Sequence, residues 1–167
     1  MIDSSFLPNI EAFILFIYIR HIIYMFATYD LSKWPLVYIN MNGDIKSYVD
    51  YKQFTNTWLE LYNKLEPFTM LFDATSFGEV SIFYAIKMAM FIKKIKRKRP
   101  QYLQKSIIML ESKWLKHLVG LMFFIESPAA PVFVYYKDEH GDKSLEDLIE
   151  LVNKGEIDVF HKFEPSR

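Results

Sequence analysis

Cysteine is absent from the 167-residue chain, and its absence excludes several kinds of chemistry. Without a thiol, the protein can form no disulfide bond, no thiolate nucleophile and no zinc site built on sulfur. A chain without cysteine also fits a reducing compartment. We therefore expect a cytoplasmic protein, either free in the cytoplasm or peripheral to a membrane.

Net charge is absent as well, because 20 basic side chains balance 20 acidic ones. A neutral chain predicts no polyanion partner, so nucleic acid is disfavoured and only local clusters of charge can attract anions. The charges are unevenly spread: basic residues concentrate in Lys87–Lys116, whereas acidic residues concentrate in Asp138–Asp158. This layout either orients the protein at an anionic surface or forms two unrelated solvated faces.

Motifs of the common enzyme classes are also missing. The sequence contains no G-x-S-x-G, no G-x-G-x-x-G and no P-loop. Its four histidines are far apart, and none has H-x-H or H-E-x-x-H spacing. His140 lies in an acidic loop that is more typical of a turn than of a metal site. We therefore predict a protein that is not an enzyme and has no catalytic residue, no cofactor and no metal site.

The chain is rich in apolar side chains, with 51% hydrophobic and 17% aromatic residues, which is enough to bury the core of one domain. Short apolar runs that end at turn residues predict strands, and they alternate with segments of helical periodicity. The predicted strands are Leu36–Met41, Phe68–Ala74, Ser106–Leu110 and Pro131–Tyr136. This alternation predicts an α/β fold: a single mainly parallel sheet of about four to five strands with helices on both faces.

Four predicted helices separate or follow these strands. Residue types that cap helices mark their starts, at Asp50, near Ser81, and at Ser112 and Ser144. Spacings of four, three and four place one set of apolar residues of the first helix on a common inward face: Phe54, Trp58, Leu61 and Leu65. In the second helix the apolar bulk expected in the core is supplied by Phe83, Ile86, Met90 and Ile95.

Residues 1–32 form a separate apolar segment, and residues 33–167 form the α/β domain. The run Ala12–Ile19 is wholly apolar and is followed by Arg20 and His21. A signal peptide would need positive charge before the run and a small-residue cleavage site after it, and a membrane span would place Arg20 near its middle. We expect an apolar N-terminal helix that packs on the domain or on a second copy, or that inserts shallowly into a membrane. The abundance of isoleucine and aromatics leaves a strand as an alternative.

Two carboxylates follow predicted strands. Asp73 ends one apolar strand and Glu111 follows the next, so both are expected at the carboxyl edge of the sheet, where ligands of α/β folds usually bind. Asp73 is either a polar anchor in a cleft or the cap of its own turn, through the amides of Thr75 or Ser76. Since no nucleophile, histidine or metal ligand accompanies them, Asp73 and Glu111 are candidates for the cleft edge rather than for catalysis.

A dense run of cations directly before Pro100 is the strongest local signal. At the end of a helix, such cations either complement the negative end of the helix dipole as a solvated surface or contact anionic lipid headgroups. No aromatic residue is interleaved with them for base stacking, which again disfavours nucleic acid. The headgroup candidates, called the basic patch below, are Lys93, Lys94, Lys96, Arg97, Lys98 and Arg99.

Several stretches together resemble the CRAL-TRIO (Sec14-like) lipid-binding domains and, more loosely, their BCH-type relatives. Phe68–Gly78 looks like the family's apolar strand ending in Asp and a small-residue turn. Arg99–Lys105 is similar to the stretch that leads into the next strand, and Leu145–Val152 fits the last helix. The resemblance spans Trp34–Lys154 and implies lipid binding. Leu36–Asp44 also resembles STAS domains, although their phosphorylatable Asp-Ser-Ser-Gly is absent.

We therefore predict non-enzymatic binding of a lipid or of an anionic membrane surface by a small CRAL-TRIO-like domain. An apolar cleft would hold acyl chains, and the basic patch would contact headgroups. The alternative is a STAS-like or BCH-like protein-interaction module with a protein partner, dimerising through its apolar N-terminal segment.

Overall fold

A six-stranded sheet organises residues 26–166, the part of the chain that the computed structural model describes. The strands lie side by side in chain order: β1 (Ala27–Asp30), β2 (Leu36–Met41), β3 (Phe68–Asp73), β4 (Leu103–Leu110), β5 (Val132–Tyr136) and β6 (His161–Phe163). Strands β2 to β5 are parallel to one another, and the edge strands β1 and β6 are antiparallel to their neighbours. The α/β prediction is confirmed, but the expectation of a mainly parallel sheet of four to five strands is wrong, since the sheet is mixed and has six.

The two edge strands escaped prediction for a physical reason. Strands β1 and β6 have only four and three residues, and most of their side chains are exposed or half-buried. A continuous apolar run marks a strand that is covered on both faces, and an edge strand of this length has none. Strand β1 lies within the predicted segment 1–32 and pairs with β2. The predicted N-terminal helix lies in residues 1–25, outside the described residues.

Five helices accompany the sheet in the described region: α1 (Tyr48–Leu61), α2 (Ile82–Lys96), α3 (Lys113–Ile125), the short α4 (Lys137–His140) and α5 (Leu145–Lys154). Helix α1 begins earlier than predicted because Ser47, rather than Asp50, is its N-cap. The Asp50 carboxylate accepts from the Ser47 amide at 2.8 Å, which completes a capping box. After Leu61 a 3-10 turn ends at Leu65, whose φ of 56° and 69% exposure place it outside the predicted inward face.

The remaining helix ends follow the sequence closely. Ser112 Oγ accepts from the Leu115 amide, and Ser144 forms a capping box with Asp147, both as predicted. Gly155 closes α5 in the left-handed conformation, with φ of 80°, which glycine adopts without a steric cost. Ser81 precedes α2 but makes no side-chain cap hydrogen bond.

Helices cover both faces of the sheet, as predicted, but unequally. Because parallel strands in chain order are joined by right-handed crossovers, the three connecting helices α1, α2 and α3 fall on one side, called here the three-helix face. Of the helices in residues 26–166, α5 packs on the opposite side, called the α5 face. Alternate residues of each strand serve the two faces: in β3, for example, Met70 and Phe72 point to α1 and α2, whereas Leu71 points to α5.

Candidate functional site

Helix α2 lies in the middle of the three-helix face and packs on the sheet through one side. Besides Phe91, that inner side consists of small and branched residues, Ala85, Ala89, Ile92 and Ile95, which are all at most 7% exposed. Side chains of this kind let the helix approach closely and fill the space beneath it. The opposite side of α2 is therefore left for solvent.

The outward side of α2 carries apolar residues that the sequence placed in the core. Phe83 is 55% exposed, Ile86 42% and Met90 68%. They follow each other by three and four residues, and the same spacing continues to the exposed cations Lys93 and Arg97. This stripe, from Phe83 to Arg97, is called the α2 outer face below. Its first half is apolar and its second half is cationic, over a helix about 22 Å long.

Neighbouring helices widen the apolar half of this surface. The Nζ atom of Lys87 lies 4.8 Å from the ring centroid of Tyr48 on α1 and 4.6 Å from that of Phe83, so one cation bridges two exposed aromatics. On α3, the half-exposed Trp114 donates from Nε1 to the carbonyl of Val80 at 3.2 Å, just before α2 begins. Exposed aromatic rings therefore surround the N-terminal half of α2.

The structure divides the basic patch into two groups. Lys93, Lys94 and Arg97 are exposed, and within residues 26–166 their side chains have no hydrogen-bond or ion-pair partner. The other three are engaged. Lys96 is part-buried and donates from Nζ to Glu126 at 2.9 Å and to the hydroxyls of Ser127 and Ser166.

The last two members of the basic patch serve the end of α2. Arg99 donates from Nη1 to the carbonyls of Lys96 at 2.8 Å and Lys98 at 2.9 Å, which satisfies acceptors at the helix terminus. Lys98 places Nζ 5.0 Å from the ring centroid of Tyr62. Counting contacts within residues 26–166, three of the six predicted headgroup candidates, Lys93, Lys94 and Arg97, are exposed and unpaired.

The carboxyl edge of the sheet brings Asp73 and Glu111 to neighbouring strand ends, as expected. Asp73 Oδ1 accepts from the Thr75 amide at 3.1 Å and from its hydroxyl at 2.7 Å, which is the local turn interaction that the sequence allowed. The pKa of Lys137 is raised mainly by its hydrogen bond to Asp142 and, to a smaller extent, by the charges of Glu111 and Asp73. The edge is thus a network of compensating charges.

Two loops beyond this edge of the sheet, the one after β2 and the one before α2, are held together by hydrogen bonds. The amide of Gly78 donates to the carbonyl of Gly43 at 2.9 Å, and Asp44 accepts from the Glu79 amide at 2.8 Å. A Cβ on Gly78 would lie 2.1 Å from Asp44 Oδ1, so a larger residue there would have to displace the Asp44 side chain from its hydrogen bond to Glu79. This contact ties the segment that enters α2 to the loop that follows β2.

A cavity of about 140 Å³ lies between the sheet and the helices of the three-helix face. Its wall is almost wholly apolar and includes Trp58 and Phe54 of α1, Ala85 and Ile92 of α2, and Leu118 of α3. It begins beside Asp73, since Ala74 and Phe77 also line it.

Tyrosines at the cavity wall and nearby are held neutral. Burial raises the pKa of Tyr51 to about 12, and its hydroxyl donates to the Lys87 carbonyl at 2.9 Å. Burial raises the pKa of Tyr62 further, although its hydrogen bond to Gln101 at 2.7 Å acts in the opposite direction. These hydroxyls therefore stay protonated at neutral pH and bring no charge to the interior.

Metal-binding clusters and membrane-spanning helices are both absent from the described residues. In residues 26–166, no three His, Asp or Glu side chains converge in a way that would hold a metal ion. Among the helices of the same residues, none has the length and apolar character needed to cross a membrane. His140, the histidine of the acidic loop, contributes its backbone carbonyl to a hydrogen bond from Tyr135.

Sequence reasoning missed two parts of this site. The sequence predicted that the exposed half of α2 lies in the core, because every position from Ile82 to Ile86 is apolar or aromatic. Such a run does not show which side of the helix faces the sheet. The pairing of Lys96 with Glu126 joins residues 30 positions apart and leaves no local signal. No protein-family model matches this chain, and no curated protein sequence matches it.

Proposed function

We propose that the protein binds anionic membrane surfaces peripherally through the α2 outer face. The observation that carries the proposal is the single exposed stripe in which Phe83, Ile86 and Met90 continue into Lys93 and Arg97. Apolar side chains enter the boundary between headgroups and acyl chains, while adjacent cations attract anionic headgroups. The exposed aromatics Tyr48 and Trp114 suit the same boundary, where amphipathic rings concentrate.

The two halves of the stripe supply binding energy of comparable size. Each free cation near an anionic surface contributes about 1 kcal/mol, so Lys93, Lys94 and Arg97 together give about 3 kcal/mol. Burying the remaining exposed area of Phe83, Ile86 and Met90 contributes on the order of 1 kcal/mol for each side chain. A total of about 6 kcal/mol corresponds to weak, reversible binding, and the loss of either half should reduce it strongly.

The size of the interior cavity favours contact at the surface over storage of a lipid chain. A volume of about 140 Å³ is below the roughly 300 Å³ at which pockets for drug-sized ligands begin. We therefore retain lipid binding, which the resemblance to CRAL-TRIO domains implies. We propose that the lipid headgroups and the ends of the acyl chains contact the surface of α2.

Sedimentation with vesicles tests the cationic half. We expect the full chain to sediment with vesicles that contain phosphatidylserine but not with pure phosphatidylcholine, and to lose binding as salt rises. The triple variant Lys93→Gln/Lys94→Gln/Arg97→Gln should bind about 100-fold more weakly, because about 3 kcal/mol is lost. A control with the same change in charge, Lys33→Gln/Lys143→Gln/Lys154→Gln, neutralises three lysines outside α2 and should bind as the unmodified protein does.

The apolar half is tested separately. We expect Ile86→Ser/Met90→Ser to weaken sedimentation at least 10-fold without a change in thermal stability, because both side chains are exposed. Leu65→Ser removes a comparably exposed apolar side chain elsewhere and serves as the control. Equal sedimentation with neutral and anionic vesicles, or equal losses in variants and controls, would refute the proposal.

A protein contact at the same surface is the competing outcome. If light scattering shows a dimer that Ile86→Ser/Met90→Ser converts to a monomer, and vesicles never sediment the protein, the α2 outer face is a contact between copies of the chain. That result would favour the interaction-module alternative over membrane binding.

A further inference from the structure

The apolar half of the α2 outer face belongs to a wider exposed surface. Ile82, next to Phe83, is 52% exposed, and Tyr48 on α1 and Trp114 on α3 are half-exposed beside them. Contiguous apolar surface of this kind is uncommon in water and marks a contact with a protein or a membrane. Away from a membrane, another part of the chain or a second copy is needed to cover it.

The described part of the chain begins next to this surface. Phe26, its first residue, is 4% exposed, and its carbonyl accepts from the amide of Asn42 at 2.7 Å, just after the carboxyl end of β2. Its ring centroid lies 5.4 Å from that of Phe54 on α1 and 5.9 Å from that of Phe77, which precedes α2. The chain therefore enters the described region at the end of the sheet where α1 and α2 begin.

Residues 11–25 match the α2 outer face in length and in the order of apolar and charged residues. Ala12–Ile19 is wholly apolar, and Glu11 stands directly before it. A helix of residues 11–25, the form that the sequence predicts, would be about 22 Å long, which is also the length of α2. Because such a helix would end where α2 begins, it would run antiparallel to α2 and bring Glu11 level with Lys93 and Arg97.

We infer that residues 11–25 pack on the α2 outer face when no membrane is present. Ala12–Ile19 covers the apolar half of the stripe, and Glu11 pairs with the exposed cations of the other half. Arg20 falls beside the apolar half, where the long side chain of an arginine extends to solvent. The direct connection through Phe26 favours the protein's own segment over that of a second copy, since a short tether gives millimolar effective concentrations.

This contact makes the segment a competitor of the membrane for one surface. An anionic membrane has to displace residues 11–25 before it meets α2, so its apparent affinity falls with the fraction of molecules in which the surface is covered. The contact itself is independent of membrane binding, whereas the competition rests on the proposed function.

A spin label tests the contact without vesicles. Because the chain contains no cysteine, a single introduced cysteine carries the label at one chosen site. In the ¹⁵N-labelled full chain, a label at Met90→Cys should broaden the amide resonances of residues 11–25 as strongly as those of its neighbours on α2. A label at Lys154→Cys, on α5 at the opposite side of the sheet, should leave them sharp. Both side chains are exposed, so both variants should fold.

A mixed sample separates the protein's own segment from that of a second copy. Spin-labelled Met90→Cys chain without ¹⁵N is added to ¹⁵N-labelled chain without a spin label, so that only contacts between copies broaden a signal. We expect residues 11–25 to stay sharp in this mixture. Equal broadening in the mixture would show that a second copy supplies the segment, and sharp resonances in every sample would show that the surface is uncovered. Either result overturns the inference.

Sedimentation of the full chain tests the competition. Glu11→Gln should strengthen binding to vesicles that contain phosphatidylserine by about 2- to 5-fold, because the covering segment loses a charge pair. Glu156→Gln makes the same change in charge beyond α5 and should bind as the unmodified protein does. Equal strengthening in both variants would overturn the competition, since the change in charge alone would then explain it.

The two experiments fail in different ways. If the label at Met90→Cys broadens residues 11–25 but vesicles never sediment the protein, the contact stands and the proposed membrane function is wrong. If vesicles bind and residues 11–25 stay sharp, the membrane function stands and the covering segment is wrong.

Discussion

The two faces of the sheet differ in how many helices cover them and in how much space stays empty beneath those helices. On the α5 face, a single ten-residue helix buries Leu148 completely against Leu71 and Ile107, which are also fully buried. On the three-helix face, three longer helices still leave a cavity of about 140 Å³. More helix does not mean tighter packing here. The difference teaches that the number of helices does not set how much space stays empty, since the three-helix face keeps a cavity whose lining loses packing contacts.

One buried polar group from each face shows a similar contrast. The hydroxyl of Tyr135 on the α5 face donates to the carbonyls of His140 and Gly141, at 2.9 Å each. The indole of Trp58 on the three-helix face has no acceptor within the described residues. Unpaired buried groups and empty volume tend to mark sites of function rather than of stability.

The outer surfaces of the helices extend the contrast. Helix α5 has a capping box, a glycine C-cap and an exposed ion pair between Glu150 and Lys154. Helix α2 begins without a side-chain cap and exposes apolar residues along the first half of its outer face. Helix α5 thus meets solvent with capped ends and an ion pair, whereas helix α2 meets it with apolar side chains.

The largest expected effect comes from removing side-chain atoms from the core of the α5 face. Leu148→Ala should lower the free energy of unfolding by about 2 to 5 kcal/mol, because a fully buried side chain leaves a new cavity. Met88→Ala, at the wall of the existing cavity, should cost clearly less because that side chain has fewer atoms around it. Chemical denaturation of both variants measures the difference. Equal losses would break the contrast between the faces.

Adding side-chain volume should give the next largest difference in stability between variants of the two faces. Leu148→Phe overfills the packed face and should destabilise the protein by about 1 to 3 kcal/mol. Leu118→Phe places the same extra atoms at the cavity wall and should be close to neutral. Thermal unfolding of the two variants compares them directly. A loss at Leu118→Phe as large as at Leu148→Phe would mean that the cavity cannot accept atoms.

Removing one polar atom from each face should give the smallest difference. Tyr135→Phe loses a satisfied hydroxyl and should cost about 0.5 to 1.5 kcal/mol. Trp58→Phe also loses packing atoms, but it removes an unpaired donor, so we expect a net change near zero. Denaturation midpoints with unchanged slopes provide the measurement. A cost at Trp58→Phe well above that at Tyr135→Phe would indicate that the indole has an acceptor in solution.

Local patterns predicted much of the fold. The prediction for β2 matches at both ends, Leu36–Met41, and Ser144 caps α5 as its sequence indicated. Both depend on a few neighbouring residues, a closed apolar run in one case and a capping box in the other. Strand β6 has neither signal and was missed.

The candidate site was predicted only in part. The position of the cations at the end of α2 was evident, because Pro100 follows them at once. Their division into free and engaged groups was not, since Lys96 is held by Glu126 and Ser166, which are distant in sequence. The unpaired indole of Trp58 was equally invisible, because periodicity reports which side chains turn inward but not whether a donor finds an acceptor there.

By itself, the sequence determined the alternation of the central strands with helices, the caps at Ser112 and Ser144 and the place of the positive charge, because each is fixed by residues within a turn or two. Only the tertiary structure decided which apolar side of α2 meets the sheet, which cations stay free and where space remains beside Trp58. Those outcomes depend on how surfaces from distant parts of the chain fit together. Because α2 is apolar on both sides, its own sequence does not show which side packs on the sheet.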